Sequence, residues 1–164
     1  MKLGERIQVD HMSARKNGCP VKHFQSWDRN SKFIHAQIYA NATSHSAKKF
    51  LEELIEKLPF PLLSIQVDGS SEFMGEFEQA CADLHIELMV LPPASPKKNG
   101  GVERGNRVLR EEFYEKPSFS DSLGALRNDL KAALAKYNTY RPHGALDGLT
   151  PMVYIQNHHL EAVA

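Results

Sequence analysis

Ile7-Gln8-Val9-Asp10 recurs as Ile65-Gln66-Val67-Asp68, and the way this pair is read decides the fold. Each copy is a short apolar and polar alternation that ends on an acid. Their downstream neighbours differ. After the first come two further alternating runs, 21–27 and 33–39, joined by Asp28-Arg29-Asn30-Ser31, the pattern of an antiparallel hairpin. After the second comes a helical pattern from about Gly75 to Leu84 and then a strand over 86–91. A duplication would repeat the downstream element, so the copies read as two separate strands, each presenting an aspartate just past its carboxyl end.

The rest of the chain fits around them. Ser44 or Ser46 caps a helix whose apolar positions Phe50, Leu51, Leu54, Ile55 and Leu58 recur at helical spacing, and Pro59 with Pro61 stops it. A strand over 62–67 carries the second tetrad, an irregular stretch occupies 92–98, and Asn99 caps the next helix. The expected class is α/β: a mixed sheet in which a three-strand antiparallel meander is continued by parallel strands, flanked by helices. In such sheets the carboxyl edge is where sites gather. An aspartate after a strand also simply starts turns, and the pair alone supports either reading.

At 164 residues the chain reads as one domain, 1–164, with about 1–115 as its core and about 116–164 as a C-terminal helix and tail. An apolar fraction of 41% and a charged fraction of 24%, with no run near the roughly 20 apolar residues of a membrane helix, exclude a membrane-embedded chain. The opening residues lack a signal-peptide pattern, and two cysteines do not make a disulfide framework, so a reducing cytoplasm is the expected setting. Basic and acidic residues balance at 20 each, yet Lys97, Lys98, Arg104, Arg107 and Arg110 crowd into one segment against the single acid Glu103. Such a stripe is either a solvated helix face or a contact for a polyanion.

On the helix opening at Asn99, Val102, Gly105, Leu109 and Phe113 form one apolar stripe, with Glu103, Asn106, Arg107 and Arg110 on the adjoining flank. A first-turn glutamate is common in any helix, being comfortable at the positive end of the dipole. Here it is also placed to meet Asp10 and Asp68. Three carboxylates in one place repel unless hard divalent cations such as Mg²⁺ or Mn²⁺, which take oxygen ligands, neutralise them.

The stretch Ser95-Pro96-Lys97-Lys98-Asn99-Gly100-Gly101-Val102-Glu103-Arg104-Gly105-Asn106-Arg107 resembles the "SPxxNGxVERxNR" signature of the integrase core in insertion-sequence transposases, Asp-Asp-Glu recombinases related to retroviral integrases. Val9-Asp10-His11-Met12 resembles the first aspartate motif of that family and Val67-Asp68-Gly69-Ser70-Ser71-Glu72-Phe73 its second. Tyr137-Asn138, Arg141-Pro142-His143, Leu146 and Thr150-Pro151 resemble its closing "YNxxRPHxxLxxxTP". The motifs occur in the family's order across nearly the whole chain. One departure stands out: Gly69-Ser70 comes after Asp68 where the family has Asn-Gly, which removes a side-chain amide beside the carboxylate and invites a positive φ at Gly69.

The resemblance implies a ribonuclease-H-like domain that cleaves and joins DNA by phosphoryl transfer. Asp10, Asp68 and Glu103 would hold two divalent cations, Mg²⁺ or Mn²⁺, and Lys97, Lys98, Arg104, Arg107 and Arg110 would grip phosphates of element-end and target DNA. It also implies a homo-oligomer acting on DNA in a bacterial cytoplasm, at the nucleoid. Because transposases carry a helix-turn-helix ahead of the core, the chain is expected to be a core fragment. The rival readings are another ribonuclease-H-like nuclease and a catalytically impaired transposase remnant that binds DNA. His11 and His143 are weighed as DNA or metal contacts and read as surface or packing residues; Phe24, Trp27, Phe33 and Tyr39 read as core.

Overall fold

The computed structural model describes residues 2–93, 100–116, 120 and 122–163, with side chains as far as residue 158. In chain order the regular elements are β1 Ile7–Lys16, β2 Cys19–Asp28, β3 Ile34–Tyr39, α1 Ser44–Lys57, β4 Ser64–Val67, α2 Glu76–Asp83, β5 Glu87–Val90, α3 Gly100–Leu109, α4 Leu123–Tyr140 and α5 Pro151–Val163. The strands form one sheet in the order β3-β2-β1-β4-β5. β1, β2 and β3 are antiparallel, while β4 runs parallel to β1 and β5 parallel to β4. The expected meander continued by parallel strands is what the chain builds.

The two tetrads lie side by side in register, with Ile7 opposite Ile65 and Gln8 opposite Gln66. One expectation needs correction. β1 does not end at Asp10 but runs on to Lys16, because its antiparallel ladder with β2 continues from Ile7–Asp28 to Lys16–Cys19. Only the parallel ladder with β4 stops, after Gln8, so Asp10 stands past the end of that pairing rather than past the end of a strand. The β1–β2 hairpin is closed by Asn17 and Gly18, both at positive φ (52° and 78°), as a two-residue primed turn requires.

Helix ends shift similarly. Thr43, not Ser44 or Ser46, caps α1, its side chain accepting from the Ser46 amide at 3.1 Å. The expected Asn99 cap lies outside the described residues. Thr150 caps α5, accepting from the Val153 amide at 3.3 Å with Pro151 in first position.

Period-two alternation sends side chains into two cores. Ile7, Val9, Phe24, Ile65 and Val67 pack against Phe50, Leu51 and Leu54 of α1, Phe77 of α2 and Ile155 of α5. On the other face Met12, Val21, Ile34, Ala36 and Ile38 pack against Leu109, Phe113 and, from α4, Leu126, Leu130, Leu134 and Tyr137. The edge strand β3 is sealed by α4: the Asn138 amide accepts from the Ile34 N–H at 3.0 Å and donates to the Ile34 carbonyl at 2.8 Å, and Arg127 donates to the Ile38 carbonyl. The Tyr-Asn motif is therefore a structural clamp.

α3 lies unusually close to the sheet. A Cβ on Gly101 would stand 2.2 Å from the Trp27 ring, and one on Gly105 would stand 2.4 Å from the Gln25 side chain. Glycine at these two positions is what allows the approach. Past Leu109 the helix loosens into a π-turn, Arg110–Tyr114. The buried Lys16 ammonium anchors that turn by donating to the Phe113 and Lys116 carbonyls while lying 4.7 Å over the Phe113 ring. Beneath it, His23 bridges the Tyr114 hydroxyl (2.6 Å) and the Gln25 carbonyl oxygen (2.8 Å). Full burial pushes its pKa down to about 4, so the imidazole is neutral, donating to Gln25 and accepting from Tyr114.

Gly101→Ala should cost about 1–3 kcal/mol by overpacking against a rigid ring. In urea denaturation, Gly101→Ala combined with Trp27→Leu should lose less than the sum of the single losses, since the clash is shared.

Candidate active site

α3 and the π-turn after it run alongside β1, and three pairs tie them together. The Val102 amide donates to the Gln8 side chain at 3.1 Å, the Asn106 amide to Asp10 Oδ2 at 3.4 Å, and the Arg110 guanidinium to Met12 Sδ at 3.4 Å. Two strand residues advance about 6.6 Å and four helix residues about 6 Å, so the steps stay matched. Gln8 and Asp10 thus face α3. Asp68 directly follows β4, next to the strand that carries Asp10, and its charge acts on the Asp10 carboxyl, while Val9 and Val67 point into the opposite core. Glu103 rides on the exposed side of α3 between the residues that touch Gln8 and Asp10.

Both Asp10 oxygens are held, Oδ1 by the His11 amide at 2.8 Å and Oδ2 by Asn106. The turn after Asp68 also forms: the Ser70 amide donates to Asp68 Oδ1 at 3.0 Å. Gly69 does not take the positive φ expected from the altered motif, so the Gly-Ser substitution is absorbed without a left-handed residue.

The charges act on one another. Burial, and after it the negative charges of Asp68 and Glu103, raise the Asp10 carboxyl to about 6 against the opposing pull of the His11 amide. Among the described residues no three His, Cys, Asp or Glu side chains stand close enough to form a metal cage, so Asp10, Asp68 and Glu103 act on one another through their charges without closing on a common point. Like charges have no reason to draw nearer unless a cation lies between them. The donor set, carboxylate oxygens only, suits Mg²⁺ or Mn²⁺.

Of the basic stripe, Arg104 and Arg107 line α3 and Arg110 opens the π-turn after it, while Lys97 and Lys98 lie outside the described residues. Arg107 is paired with Glu111 at 3.0 Å, one turn on. Asn106, on the flank adjoining the apolar stripe as expected, is only 6% exposed and turned towards Asp10. His11 neither faces solvent alone nor joins the carboxylates: its Nδ1 meets Glu72 at 2.6 Å, which raises the imidazole pKa, and its ring lies 5.5 Å from Phe24. His143 packs on the edge of Tyr137. Phe24 and Phe33 are core, and Trp27 and Tyr39 half-buried.

Two residues of this site carry no signal of their role in the sequence. Asn106 falls within the Val-Glu-Arg-Gly-Asn-Arg motif and Glu72 within Gly-Ser-Ser-Glu-Phe, but nothing in spacing shows that one clamps Asp10 and the other pairs with its neighbour.

The fold, rather than the site, is what known proteins share with this chain. Residues 84–151 match the family described as the integrase core domain. That segment is similar to an integrase core. Solved structures extend the fold to nearly all of the chain. The catalytic core domain of BIV integrase superposes with a TM-score of 0.74 at 22% identity, covering 97% of this chain and 99% of that one. The HTLV-2 integrase catalytic core in complex with magnesium gives 0.72 at 19%, covering 92% and 95%. A chain of the simian T-cell lymphotropic virus intasome, solved with PP2A regulatory subunit B56 gamma, gives 0.79 at 22%, with 91% of this chain covering 53% of that one, so the present chain spans about half its length. Curated proteins provide no match. The fold is thus the ribonuclease-H-like fold of integrase cores, and no helix among the described residues is long and apolar enough to cross a membrane.

With its folded pKa raised from the ordinary carboxylate value of 3.8 to about 6, Asp10 holds its proton more tightly in the native state. Stability contributed by the protonated form is present below about pH 4 and lost as pH rises through about 6. In the presence of EDTA, Asp10→Asn should therefore be more stable than the parent at pH 7, by on the order of 2 kcal/mol, and lose that advantage at pH 4. Urea midpoints at the two pH values measure it.

Proposed function

We propose that this chain is the catalytic core of an Asp-Asp-Glu DNA transposase, carrying out metal-dependent phosphoryl transfer in which DNA strands are cut and joined. The observation that supports it best is the in-register pairing of β1 with β4, the strands that lead to Asp10 and Asp68, together with the influence of the Asp68 and Glu103 charges on the Asp10 carboxyl. On this reading residues 1–164 are one catalytic domain, about 1–115 its core and about 116–164 the C-terminal helix and tail. It acts on element ends and target DNA as a homo-oligomer in the bacterial cytoplasm. The magnesium in the HTLV-2 core belongs to that protein; its fit here rests on the three carboxylates.

Asp10, Asp68 and Glu103 would hold two divalent ions, Mg²⁺ or Mn²⁺, which when bound lower the pKa of an attacking water or hydroxyl and stabilise the leaving oxygen. The protein's own residues supply order. The His11 amide and Asn106 fix the Asp10 carboxylate, and the Ser70 amide fixes that of Asp68, so neither has to be reoriented at the moment of reaction. Arg104, Arg107 and Arg110, with Lys97 and Lys98, would grip phosphates without reading sequence. The pairing of Arg107 with Glu111 weakens that grip until DNA displaces the glutamate. Because the turn after Asp68 is hydrogen-bonded despite its altered residues, the structure gives the catalytically impaired alternative no specific support.

Millimolar Mn²⁺ should raise the melting temperature of the parent, a ligand binding only the folded state, and Asp68→Asn should lose most of that rise. Glu103→Gln should abolish Mn²⁺-dependent nicking and joining while DNA binding, read by fluorescence anisotropy, stays near parental. Replacing both Arg107 and Arg110 with alanine should instead weaken binding to all sequences and lower the slope of log affinity against log salt by about one unit for each phosphate released. Normal turnover in Glu103→Gln would remove the three-carboxylate reading.

A further inference from the structure

On the α3 side of the sheet, two residues upstream of the aspartates, a cavity of about 540 Å³ opens between the strands and the start of α3. Gln8 and Gln66 line its floor and Trp27 one wall. Three arginines reach it from three separate segments: Arg6 ahead of β1, Arg29 in the β2–β3 turn and Arg104 on α3. No carboxylate lines it among the described residues.

A fourth cation stands beside it. The Lys32 ammonium lies 4.8 Å over the Trp27 ring, and its pKa is held down first by burial, then by the positive charge of Arg29 and, more weakly, of Arg104. Asp28 is the acid that acts on Lys32, but its carboxylate is committed to the Gly4 amide and to Ser31. Among the described residues none of Arg6, Arg29, Lys32 and Arg104 has a carboxylate in ion-pair contact. Arg104 and Lys32 instead donate to backbone, Arg104 to the Gly100 carbonyl and Lys32 to the Arg29 carbonyl.

Gathering like charges from distant parts of a chain costs free energy that an anion recovers, and the guanidinium fork matches phosphate oxygens in pairs. We propose that this cavity binds a phosphate group, and that its occupant is a backbone phosphate of a DNA strand passing from the carboxylates. Gln8 and Gln66 stand two residues, about 6.6 Å, before Asp10 and Asp68 on the same face, and Arg104 directly follows Glu103. The site is therefore continuous with the candidate active site, and the choice of DNA rests on the function proposed for it. Arg6 and Arg29 belong to no motif and have no other role in that function.

The test compares the parent with Arg29→Ala and with Arg6→Ala combined with Arg29→Ala, folding being checked by circular dichroism; the exposed turn residue Arg29 gives a variant that should fold even if the double does not. Labelled DNA binding is measured across a salt series, and protection against thermal unfolding by pyrophosphate is measured without divalent metal. The expected result is weaker DNA binding with a slope lower by about one unit, loss of pyrophosphate protection, and a Mn²⁺-induced rise in melting temperature equal to the parent's. Loss of pyrophosphate protection with unchanged DNA binding, or with a parent that binds no DNA, keeps the phosphate site and assigns it a free phosphate ester, the DNA reading alone failing. Variants matching the parent in both DNA slope and pyrophosphate protection overturn the site.

Discussion

The close approach of α3 to the sheet is the constraint on which the site and its surroundings hang. Gly101 against Trp27 and Gly105 against Gln25 let the helix backbone down onto β2, and on β1 the pairs Gln8 with Val102, Asp10 with Asn106 and Met12 with Arg110 keep strand and helix in step. A side chain larger than hydrogen at either glycine would lift the helix. Glu103 would then move away from Asp10 and Asn106 would lose its bond to that carboxylate. Packing and site are thus one arrangement, and changes to Gly105 or Trp27 should register in both.

Around this approach the chain concentrates charge of both signs and keeps the signs apart. Asp68 and Glu103 raise the cost of ionising Asp10, while Arg6, Arg29 and Arg104 surround the cavity just upstream. Neither group neutralises the other, although a small movement of long arginine side chains would make ion pairs cheap. Fixed partners hold the arrangement: both Asp10 oxygens accept from amides, and Arg104 is turned back to the Gly100 carbonyl. A surface that separates carboxylates from arginines in this way suits a ligand that itself alternates, cations at one point and phosphates at the next. A nucleic-acid strand crossing a metal site has that character.

Much of the remaining sequence secures this region. Lys16 at the far end of β1 ties down the π-turn beyond α3, His23 links that turn to Gln25 beneath Gly105, and Asn138 with Arg127 closes the β3 edge. The C-terminal Tyr-Asn and Arg-Pro-His residues therefore serve the fold, with Arg141 bonded to Glu112 just beyond α3.

What the sequence determined by itself was local and periodic. Alternation at 21–27 and 33–39 marked the meander, the 3.6-residue stripe of Val102, Gly105, Leu109 and Phe113 marked the buried face of α3, and the differing sequels of the two Ile-Gln-Val-Asp tetrads showed them to be separate strands. The tertiary structure alone decided that the tetrads pair in register, that β1 continues to Lys16 beyond Asp10, that Asn106 turns inward, and that Arg6, Arg29 and Arg104 share a cavity. The division has a physical cause. Periodicity records which side of an element is buried, a property of neighbours in the chain. Register, helix depth and the meeting of like charges depend on contacts between residues far apart in the chain, whose free energies are settled only when the sheet and its helices close on one another.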